Sequence, residues 1–491
     1  MINIQRNLFV ENILLEANLL DKNKIKNIPY KDYVNTSVKE DLTIIFLDID
    51  RIEKSKDIIK DITKFKNKNN KVIFIPLSKN EENINNLIDN IEKKKLSNIL
   101  NININKLGVK KKIDKKREKI FKSYLSLEII LTLSKILSNI ISILNNRDIR
   151  LASVDLDNTC WTGVIGEDGI KKIFLDNHQK KSLYYINELI KKTGLLFSIH
   201  SKNNEKLAIK GIKNKFSQHK NLITKSFKYI NWDPKVISIK KITDLVNFSK
   251  KNIIYFDDNI SEIKQINKFL LKKNCLWIKN SYFFYLYTKS LYISNISKEK
   301  NLNRFKDIKS NIKRNEVTNN KGILDYIKTS SVKVLFSTKK IDLNRFVEMS
   351  NKTNQFNSNY MRYNLKSLKI IKKNNNIKLI TFTVSDKYSD SGIICSLVLE
   401  KRNDFHIINE FLISCRALGR NLEYIFLSQI IKRYLIKKLK VPYKLTDRNE
   451  PFIKFIEKIK LKKDTKNYWL NLNKINKHSI EYEKYIKIKI N

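Results

Sequence analysis

The sequence is poor in the residues that bend, break or cross-link a chain. Its 491 residues include four cysteines, five prolines and nine glycines. The cysteines are scattered without metal-ligand spacing, which argues against a cysteine-based metal site and indicates a reducing compartment. Because glycine and proline are scarce, the loops must rely on asparagine, serine and aspartate to turn the chain.

Long apolar runs are also missing. The most apolar long segment, residues 125–144, is interrupted by Glu128, Lys135 and Asn139. This pattern predicts a buried or amphipathic helix and not a membrane span. The first residues lack the apolar core of a signal peptide, so we expect a cytoplasmic protein with no membrane partner.

Acidic residues are half as frequent as basic ones. The chain has 98 lysines and arginines against 49 aspartates and glutamates, a formal net charge of +49. Such a charge is typical of proteins that bind nucleic acid. Lysine, asparagine and isoleucine are enriched throughout, however, which favours the composition bias of an AT-rich genome over a nucleic-acid partner. The positive field would still attract anionic substrates or an acidic carrier protein.

Paired carboxylates follow an apolar run near the middle of the chain. Residues 149–154 predict a buried strand, and Asp155 and Asp157 come directly after it. Positions two apart in a strand point the same way, so both acids could face one site at the carboxyl end of the strand. Asn158 and Thr159 then turn the chain, and three glycines allow a tight loop.

Two carboxylates held close together require a cation or a shared proton. Mg²⁺ takes carboxylate oxygens and waters, and aspartate is also a covalent nucleophile toward phosphorus. The pattern recurs at Asp48 and Asp50, again after an apolar run, but without the Asn-Thr turn and the glycines. We interpret that second copy as a structural strand end.

A second apolar run leads to polar residues that suit an anion. Residues 194–199 predict a strand, and Ser201, Lys202 and Asn203 follow it. Backbone amides at the start of the next helix would add affinity for a phosphate group. By itself, Ser201 could equally be an ordinary turn or cap residue.

A third run, residues 252–256, ends in the paired acids Asp257 and Asp258. Between the second and third runs, Lys235 follows Trp232 and Pro234 at the start of a predicted helix. Taken singly, the acids could be a helix N-cap pair and Lys235 a solvated surface residue.

In their order, these motifs resemble those of the haloacid dehalogenase (HAD) superfamily of aspartate-nucleophile phosphotransferases. The details of residues 155–169 are similar to the FkbH-like branch. The resemblance implies that Asp155 is the nucleophile and Asp157 the general acid and base. It implies that Ser201 and Lys235 are catalytic and stabilise charge on the phosphoryl group.

The resemblance also implies a Mg²⁺ cofactor held by aspartates, with one of the last two binding the metal and the other supporting it. The predicted ligands are Asp155, Asp157, Asp257 and Asp258. The predicted substrate-binding residues of this region are Asn158, Thr159, Lys202 and Asn203.

The C-terminal third has a second informative block. A strand over residues 407–413 runs into residues 414–420, Ser-Cys-Arg-Ala-Leu-Gly-Arg, and then into a helix. This block resembles both the FkbH-like pattern and the acyl-CoA loop of GNAT acyltransferases, where helix N-terminal amides hold a pyrophosphate. We predict substrate contacts from Arg416, Gly419 and Arg420.

Cys415 lies in this block between a strand and a helix start. A thiol there, beside two arginines, would be a stronger nucleophile, so we predict a catalytic role for Cys415. The alternative is a small core residue, which is the commoner state of a cysteine at a strand end.

We therefore expect an α/β protein with a HAD-type Rossmannoid parallel sheet and a C-terminal GNAT-like α+β domain. A hydrophobic content of 42% is enough for several cores. The expected division is an N-terminal α/β region at 1–148, a HAD-like phosphatase domain at 149–295, a connector at 296–328 and a GNAT-like acyltransferase domain at 329–480.

The resemblance to FkbH-like proteins implies a bifunctional glyceryltransferase and phosphatase. Such an enzyme takes a glyceryl unit from 1,3-bisphosphoglycerate, dephosphorylates it and loads it onto an acyl carrier protein, for example in polyketide biosynthesis. The expected partners are that carrier and a small phosphorylated three-carbon substrate. One alternative is a Mg²⁺-dependent phosphatase of another small ester with a carrier-binding or other acyl-transferring C-terminal domain. The other alternative is a basic binding protein with an inactive site.

Overall fold

The computed structural model describes residues 2–6, 10–17, 25–28, 41–52, 55–65, 70–121, 124–146, 148–246, 248–296, 304–414, 417–460 and 469–491. The chain divides into two compact units, residues 1–304 and 305–491. The first unit contains two parallel sheets, and the second contains a mainly antiparallel sheet.

The first sheet is parallel throughout and has the strand order β2-β1-β3-β4-β5. Its strands are β1 (Ile2–Arg6), β2 (Ile25–Ile28), β3 (Leu42–Asp48), β4 (Lys71–Leu77) and β5 (Ile99–Asn101). Its helices are α1 (Glu11–Glu16), α2 (Ser55–Thr63), α3 (Glu81–Lys93), α4 (Lys115–Phe121) and α5 (Leu127–Asn145). All seven residues of β3 are buried, as expected for a parallel strand covered on both faces.

The second sheet is also parallel, with the order β10-β9-β6-β7-β8. Its strands are β6 (Leu151–Val154), β7 (Leu196–Ser201), β8 (Ser226–Ile230), β9 (Ile253–Asp257) and β10 (Cys275–Trp277). The strand order reverses between β6 and β9, because the chain adds β7 and β8 on one side of β6 and β9 on the other. Ligands of open α/β sheets bind beyond the carboxyl ends of the strands at such a reversal.

Seven helices connect the strands of the second sheet and follow it. They are α6 (Ile165–Lys172), α7 (Asn177–Thr193), α8 (Glu205–Lys215), α9 (Lys220–Thr224), α10 (Lys235–Val246), α11 (Ile260–Ile266) and α12 (Ser281–Asn295). The first turn of α10 and the first turn of α11 both start close to the carboxyl edge of the sheet, after β8 and β9.

Helix α12 joins the two parallel sheets into one unit. Its residues from Tyr282 to Asn295 are all buried, as expected for a helix that the protein encloses on every side. It packs against α5, α7 and β5. The Tyr282 hydroxyl accepts a hydrogen bond from the Asn103 backbone amide at 2.7 Å, and Asn139 donates to the Tyr287 hydroxyl at 3.0 Å.

Helix α5 is the apolar segment that the sequence predicts to be a buried or amphipathic helix. By length and composition it could cross a membrane. In the structure, ten of its residues are buried, including Leu133, Ile136 and Ile140. Because α5 packs against α1 and α12, its apolar side chains form part of the core of the first unit.

The second unit has a sheet of order β15-β14-β13-β12-β11-β16. Four central strands are antiparallel, and a parallel strand lies at each edge. The strands are β11 (Lys333–Ser337), β12 (Ile377–Ser385), β13 (Asp390–Lys401), β14 (His406–Ile413), β15 (Leu439–Lys440) and β16 (Lys487–Ile490). The helices are α13 (Arg304–Thr329), α14 (Leu343–Lys352), α15 (Leu365–Lys373), α16 (Leu422–Arg433), α17 (Glu450–Ile459) and α18 (Leu472–Glu483).

These topologies confirm the predicted fold class: an N-terminal α/β layer, a second parallel sheet with helices between its strands, and a C-terminal α+β unit. The boundaries at 148, 295 and 328 stay predictions. The N-terminal α/β layer and the second parallel sheet lie within one compact unit. Most of the predicted connector, from residue 304 onward, is helix α13.

Candidate active site

The carboxyl ends of four strands bring the predicted residues of the parallel sheet together. Asp155 directly follows β6, Ser201 is the last residue of β7, and Asp257 is the last residue of β9. Lys235 is the first residue of α10, which follows β8. Hydrogen bonding between the parallel strands aligns their ends, so residues far apart in sequence meet at one edge.

Lys235 connects two of the acids. Its ammonium lies 2.8 Å from Asp155 Oδ1 and 2.8 Å from Asp257 Oδ2. Its side chain is only 8% exposed. Burial by itself would lower the pKa of Lys235, but the two carboxylates outweigh it and raise the pKa above its ordinary value. The lysine is therefore a fixed positive charge between two strand ends.

Asp155, Asp257 and Asp258 form a group that could hold a metal ion. One carboxylate oxygen from each lies within 4.8 Å of the others. Burial raises the pKa of Asp155 well above its ordinary value, although Lys235 acts in the opposite direction. Burial, with the charge of Asp257, also raises the pKa of Asp258. Three carboxylates with one ammonium leave excess negative charge, and hard oxygen donors of this kind fit Mg²⁺.

The two acids after β9 have different partners. Asp257 Oδ2 accepts hydrogen bonds from Lys235 and from the Tyr255 hydroxyl, and its Oδ1 accepts one from the Asn259 amide at 2.8 Å. Asp258 lies beyond the strand end, is partly exposed and contacts the Asp155 carboxyl. Asp258 is therefore the better placed of the two to bind a cation directly, with Asp257 in support.

Asp157 is held by donors from three segments. Its Oδ1 accepts from the Trp161 indole at 2.8 Å and from the Ile165 amide at 3.1 Å. Its Oδ2 accepts from Asn203 at 2.9 Å. The Asp157 carboxylate is not part of the three-acid group above, and its predicted role as a metal ligand stays a prediction. The fixed orientation suits a group that passes a proton to and from one position.

The loop after Asp157 places the two predicted substrate contacts differently. Asn158 is exposed, has a φ of +52° and accepts a hydrogen bond from the Gly163 amide at 3.1 Å. Gly163 has a φ of +99°, and a Cβ there would lie 2.9 Å from Asp168 Oδ2. Thr159 is fully buried, and within the described part of the chain its hydroxyl has no hydrogen-bond partner. Asn158 thus lies on the open side of the site, while the substrate contact of Thr159 stays a prediction.

Two residues that follow β7, Lys202 and Asn203, make polar contacts with other residues around the site. Asn203 donates to Asp157, as above, and to the Ser201 hydroxyl at 2.8 Å. This amide therefore fixes two predicted catalytic side chains at once. Lys202 is exposed, and its ammonium lies 2.7 Å from Glu262 Oε1 in the first turn of α11.

Tyr255 and Glu262 are site residues that the sequence analysis missed. The Tyr255 hydroxyl donates to Asp257, and both residues lie two positions apart in β9. The period of two in a strand was a signal that could have identified Tyr255. Glu262 follows Asp258 by four residues, and only its contact with Lys202 reveals it.

The second copy of the Asp-x-Asp pattern has a local structural role, as predicted. Asp48 accepts a hydrogen bond from the Asp50 amide at the start of a short 3-10 helix. Asp50 accepts hydrogen bonds from the Ser78 hydroxyl and the Lys79 amide. The Asp50 carboxylate therefore accepts two hydrogen bonds from the turn after β4.

In the second unit, Cys415 and Arg416 lie outside the described residues. Gly419 has a φ of +77°, so the chain passes through the left-handed region before α16. The Arg420 side chain is buried and donates to Asn311 at 2.8 Å and to Ser391 at 3.5 Å. Arg420 therefore makes hydrogen bonds within the second unit. Substrate contacts from Arg420 and Gly419 stay predictions.

No protein-family model matches the sequence, and no curated protein matches it. Solved structures show similarity in fold. One is the N-terminal part of a Bacteroides fragilis protein containing a phosphatase domain, complexed with Mg (18% identity, 61% of this chain, 93% of that chain, TM-score 0.36). Another is a 3-deoxy-D-manno-octulosonate 8-phosphate phosphatase from Moraxella catarrhalis in complex with magnesium and phosphate ions (14% identity, 26% of this chain, 67% of that chain, TM-score 0.21).

A third similar structure is a fungal multi-domain β-N-acetylglucosaminidase with a GCN5-related acetyltransferase region. It is 9% identical, with 91% of this chain and 53% of that chain covered and a TM-score of 0.19. At such identities and TM-scores, these similarities establish neither membership of a family nor an activity.

Proposed function

We propose that this protein is a Mg²⁺-dependent phosphatase with Asp155 as nucleophile. The observation that carries the proposal is the Lys235 ammonium, 2.8 Å from both Asp155 and Asp257, with Asp258 beside them at the strand-order reversal. A buried lysine, together with a metal ion held by the carboxylates, would supply the positive charge that the oxygens of a transferring phosphoryl group require.

Asp155 and Asp258 would hold the metal ion, and Asp257 would support them through Lys235. When bound, Mg²⁺ supplies positive charge to the phosphoryl oxygens and favours the ionised form of the nucleophile. That second effect matters because burial raises the pKa of Asp155 well above its ordinary value.

The chain's own groups account for both halves of the reaction. Asp155 attacks phosphorus in line, the ester P–O bond breaks, and the leaving oxygen takes a proton from Asp157. Asp157 then takes a proton from water, whose oxygen attacks the aspartyl-phosphate and releases inorganic phosphate. Lys235 and Ser201 stabilise the charge on the equatorial oxygens. Asn203 donates hydrogen bonds to Ser201 and Asp157 and so fixes their relative positions.

The test is phosphate release by the purified full chain with Mg²⁺ and a panel of small phosphate esters. We expect Asp155→Asn to lower the rate by roughly three orders of magnitude or more, because a neutral amide is not a nucleophile. Chelation of the metal should stop release, and added Mg²⁺ should restore it.

Asp50→Asn is the matched control, because it alters the other Asp-x-Asp pattern of the same chain. It should keep the wild-type rate. Unchanged phosphate release by Asp155→Asn, in a variant with a native circular dichroism spectrum, would remove the nucleophile assignment. No release by the wild type would favour a basic binding protein with an inactive site.

We further propose that the substrate is 1,3-bisphosphoglycerate and that the product is a glyceryl unit on an acyl carrier protein. The Cys415 thiolate would attack the acyl phosphate carbon, the bond from that carbon to the phosphate oxygen would break, and inorganic phosphate would leave. The remaining phosphate ester would be hydrolysed at Asp155, and the carrier's phosphopantetheine thiol would displace Cys415 from the thioester.

Two features support this finer proposal. The second unit has a GNAT-like α+β fold, with residues 414–421 between β14 and α16 at the position of the acyl-CoA loop. The residues of that loop also match the FkbH-like pattern. The competing assignment is a phosphatase of another small ester, with a second unit that binds a carrier or transfers a different acyl group.

Intact-mass measurement after exposure to freshly generated 1,3-bisphosphoglycerate separates these assignments. A glyceryl adduct that moves to a phosphopantetheinylated carrier protein would support the finer proposal. Cys415→Ala should form no adduct while still hydrolysing a simple ester. Normal carrier loading by Cys415→Ala would contradict the covalent role of the thiol.

A further inference from the structure

An ion pair crosses the mouth of the site. Lys202 directly follows β7, and Glu262 lies in the first turn of α11, which follows β9. Strands β7 and β9 lie on opposite sides of β6. The Lys202 ammonium and Glu262 Oε1 are 2.7 Å apart. The pair therefore connects the two loops that flank Asp155, across the carboxyl end of the strand that carries it.

The two partners differ in their environment. The Glu262 side chain is 5% exposed, and its Oε2 has no hydrogen-bond partner among the residues that the structure describes. The Lys202 side chain is 41% exposed. A buried carboxylate without full hydrogen bonding is unfavourable unless a nearby cation compensates it. Glu262 thus anchors Lys202, and the lysine side chain stays partly accessible to solvent.

We propose that Lys202, positioned by Glu262, selects phosphate esters that carry a second anionic group, either a carboxylate or another phosphate. The inference rests on the proposed phosphatase function and adds the substrate class. In the proposed reaction, the phosphoryl group under attack lies among Asp155, Lys235 and Ser201. Lys202 is the next residue after Ser201 and lies beyond the end of β7. It is placed to meet the remainder of the substrate.

The chemistry of the ammonium supports this selection. A lysine has three N–H donors, and Glu262 Oε1 accepts from one of them. A second anion would receive a charge-assisted hydrogen bond, which is stronger than one between neutral groups. An ester whose remainder is neutral would gain no such bond. In the finer proposal the acyl phosphate is consumed before the ester reaches Asp155, so a preference for a second anion that depends on Lys202 would favour the competing assignment of another small ester.

The test compares 3-phosphoglycerate with glycerol 3-phosphate, because the two esters differ by a carboxylate in place of a neutral hydroxymethyl group. We expect wild-type kcat/KM to favour 3-phosphoglycerate by about tenfold or more. Lys202→Met should remove most of that preference, through a raised KM for 3-phosphoglycerate. Lys210→Met, an equal loss of charge on the exposed face of α8, should keep the preference.

Glu262→Gln tests the positioning role. It removes the charge of the anchor but keeps its size, so we expect a raised KM for 3-phosphoglycerate and little change for p-nitrophenyl phosphate. A purely structural role would lower both activities together, which would contradict the assignment.

The experiments distinguish a failure of the proposed phosphatase function from a failure of the proposed role of Lys202. If all three esters are hydrolysed and Lys202→Met keeps the wild-type preference, the inference on Lys202 is wrong and the phosphatase function stands. If the wild type with Mg²⁺ hydrolyses none of the three esters, the phosphatase function is wrong and the inference on Lys202 is wrong with it.

Discussion

His200 lies fully buried beneath the proposed site. Its Nε2 is 2.9 Å from the Ser198 hydroxyl, which lies 2.7 Å from the Ser153 hydroxyl. Its Nδ1 is 2.7 Å from the Ser238 hydroxyl, which donates to the Lys235 carbonyl at 2.8 Å. With Nδ1 protonated, every member of this chain has a donor and an acceptor. The chain thus connects β6 and β7 to the first turn of α10.

This environment keeps the imidazole neutral. Burial, with a smaller contribution from the Lys235 charge, lowers the pKa of His200 to about 3. The Tyr229 ring stacks on it, and the Tyr255 ring meets its edge. A charged imidazole would also donate from Nε2, so the Ser198 hydroxyl would have to accept a hydrogen bond instead of donating one.

The depressed pKa predicts acid sensitivity. In the unfolded chain His200 takes up a proton near its ordinary pKa of about 6.5, while the folded protein rejects that proton down to about pH 3. Its contribution to stability is therefore full above about pH 6.5 and is lost as the pH falls toward 3. Between pH 7 and 4.5 we expect His200→Gln to lose about 2–3 kcal/mol less free energy of unfolding than the wild type.

Urea titrations at several pH values measure this difference. His219→Gln is the control, since His219 is only partly buried and its pKa is lowered by burial alone. Equal pH slopes for the wild type and His200→Gln would show that the folded protein accepts the proton on His200.

At the scale of elements, α13 is more than a connector. Arg314 in this helix donates through Nε and Nη2 to both oxygens of Asp386 at 2.6 and 2.7 Å, and also to the Ser389 hydroxyl at 2.7 Å. Tyr326, which follows a break in α13 at Gly322, donates to Asp386 at 2.7 Å. The helix therefore fixes the loop between β12 and β13. From the sequence this segment is predicted only as a connector, because the partner of Arg314 lies 72 residues away.

Loss of this pair should destabilise the second unit. Arg314 and Asp386 are 3% and 0% exposed, so Arg314→Met leaves a buried carboxylate without its main partner. We expect a loss of about 3–5 kcal/mol in the free energy of unfolding. Lys313→Met, at an exposed position of the same turn, should change it by less than about 0.5 kcal/mol. Equal losses in the two variants, measured by thermal or urea unfolding, would show that the pair contributes nothing specific.

At the scale of the whole molecule, the net charge of +49 surrounds a site that would bind anions. Long-range attraction between opposite charges is screened within about 10 Å at 0.1 M ionic strength. We expect KM for phosphate esters to rise several-fold between about 20 and 300 mM KCl, with kcat nearly constant. Sucrose at matched osmolarity controls for effects other than screening. A KM that is independent of salt would mean that the positive field does not reach the site.

Local sequence was enough to place Asp155, Ser201, Lys235 and the acids after β9, and to predict the fold class. Each of these residues directly follows an apolar run or begins a helix, and hydrophobic periodicity and chain order are properties of neighbouring residues. The resemblance to known motifs then supplied the roles, and the structure brings Asp155, Lys235 and the paired acids into contact.

Only the tertiary structure distinguishes the surroundings of Asp257 from those of Asp258. Asp257 is occupied by Lys235 and Tyr255, and this follows from how α10 and β9 pack, not from the two acids themselves. The Lys202–Glu262 pair and the joining of two sheets by α12 are likewise contacts between distant segments. Side chains beyond a strand end no longer alternate with a fixed period, so their directions depend on the packing of elements that the local sequence does not specify.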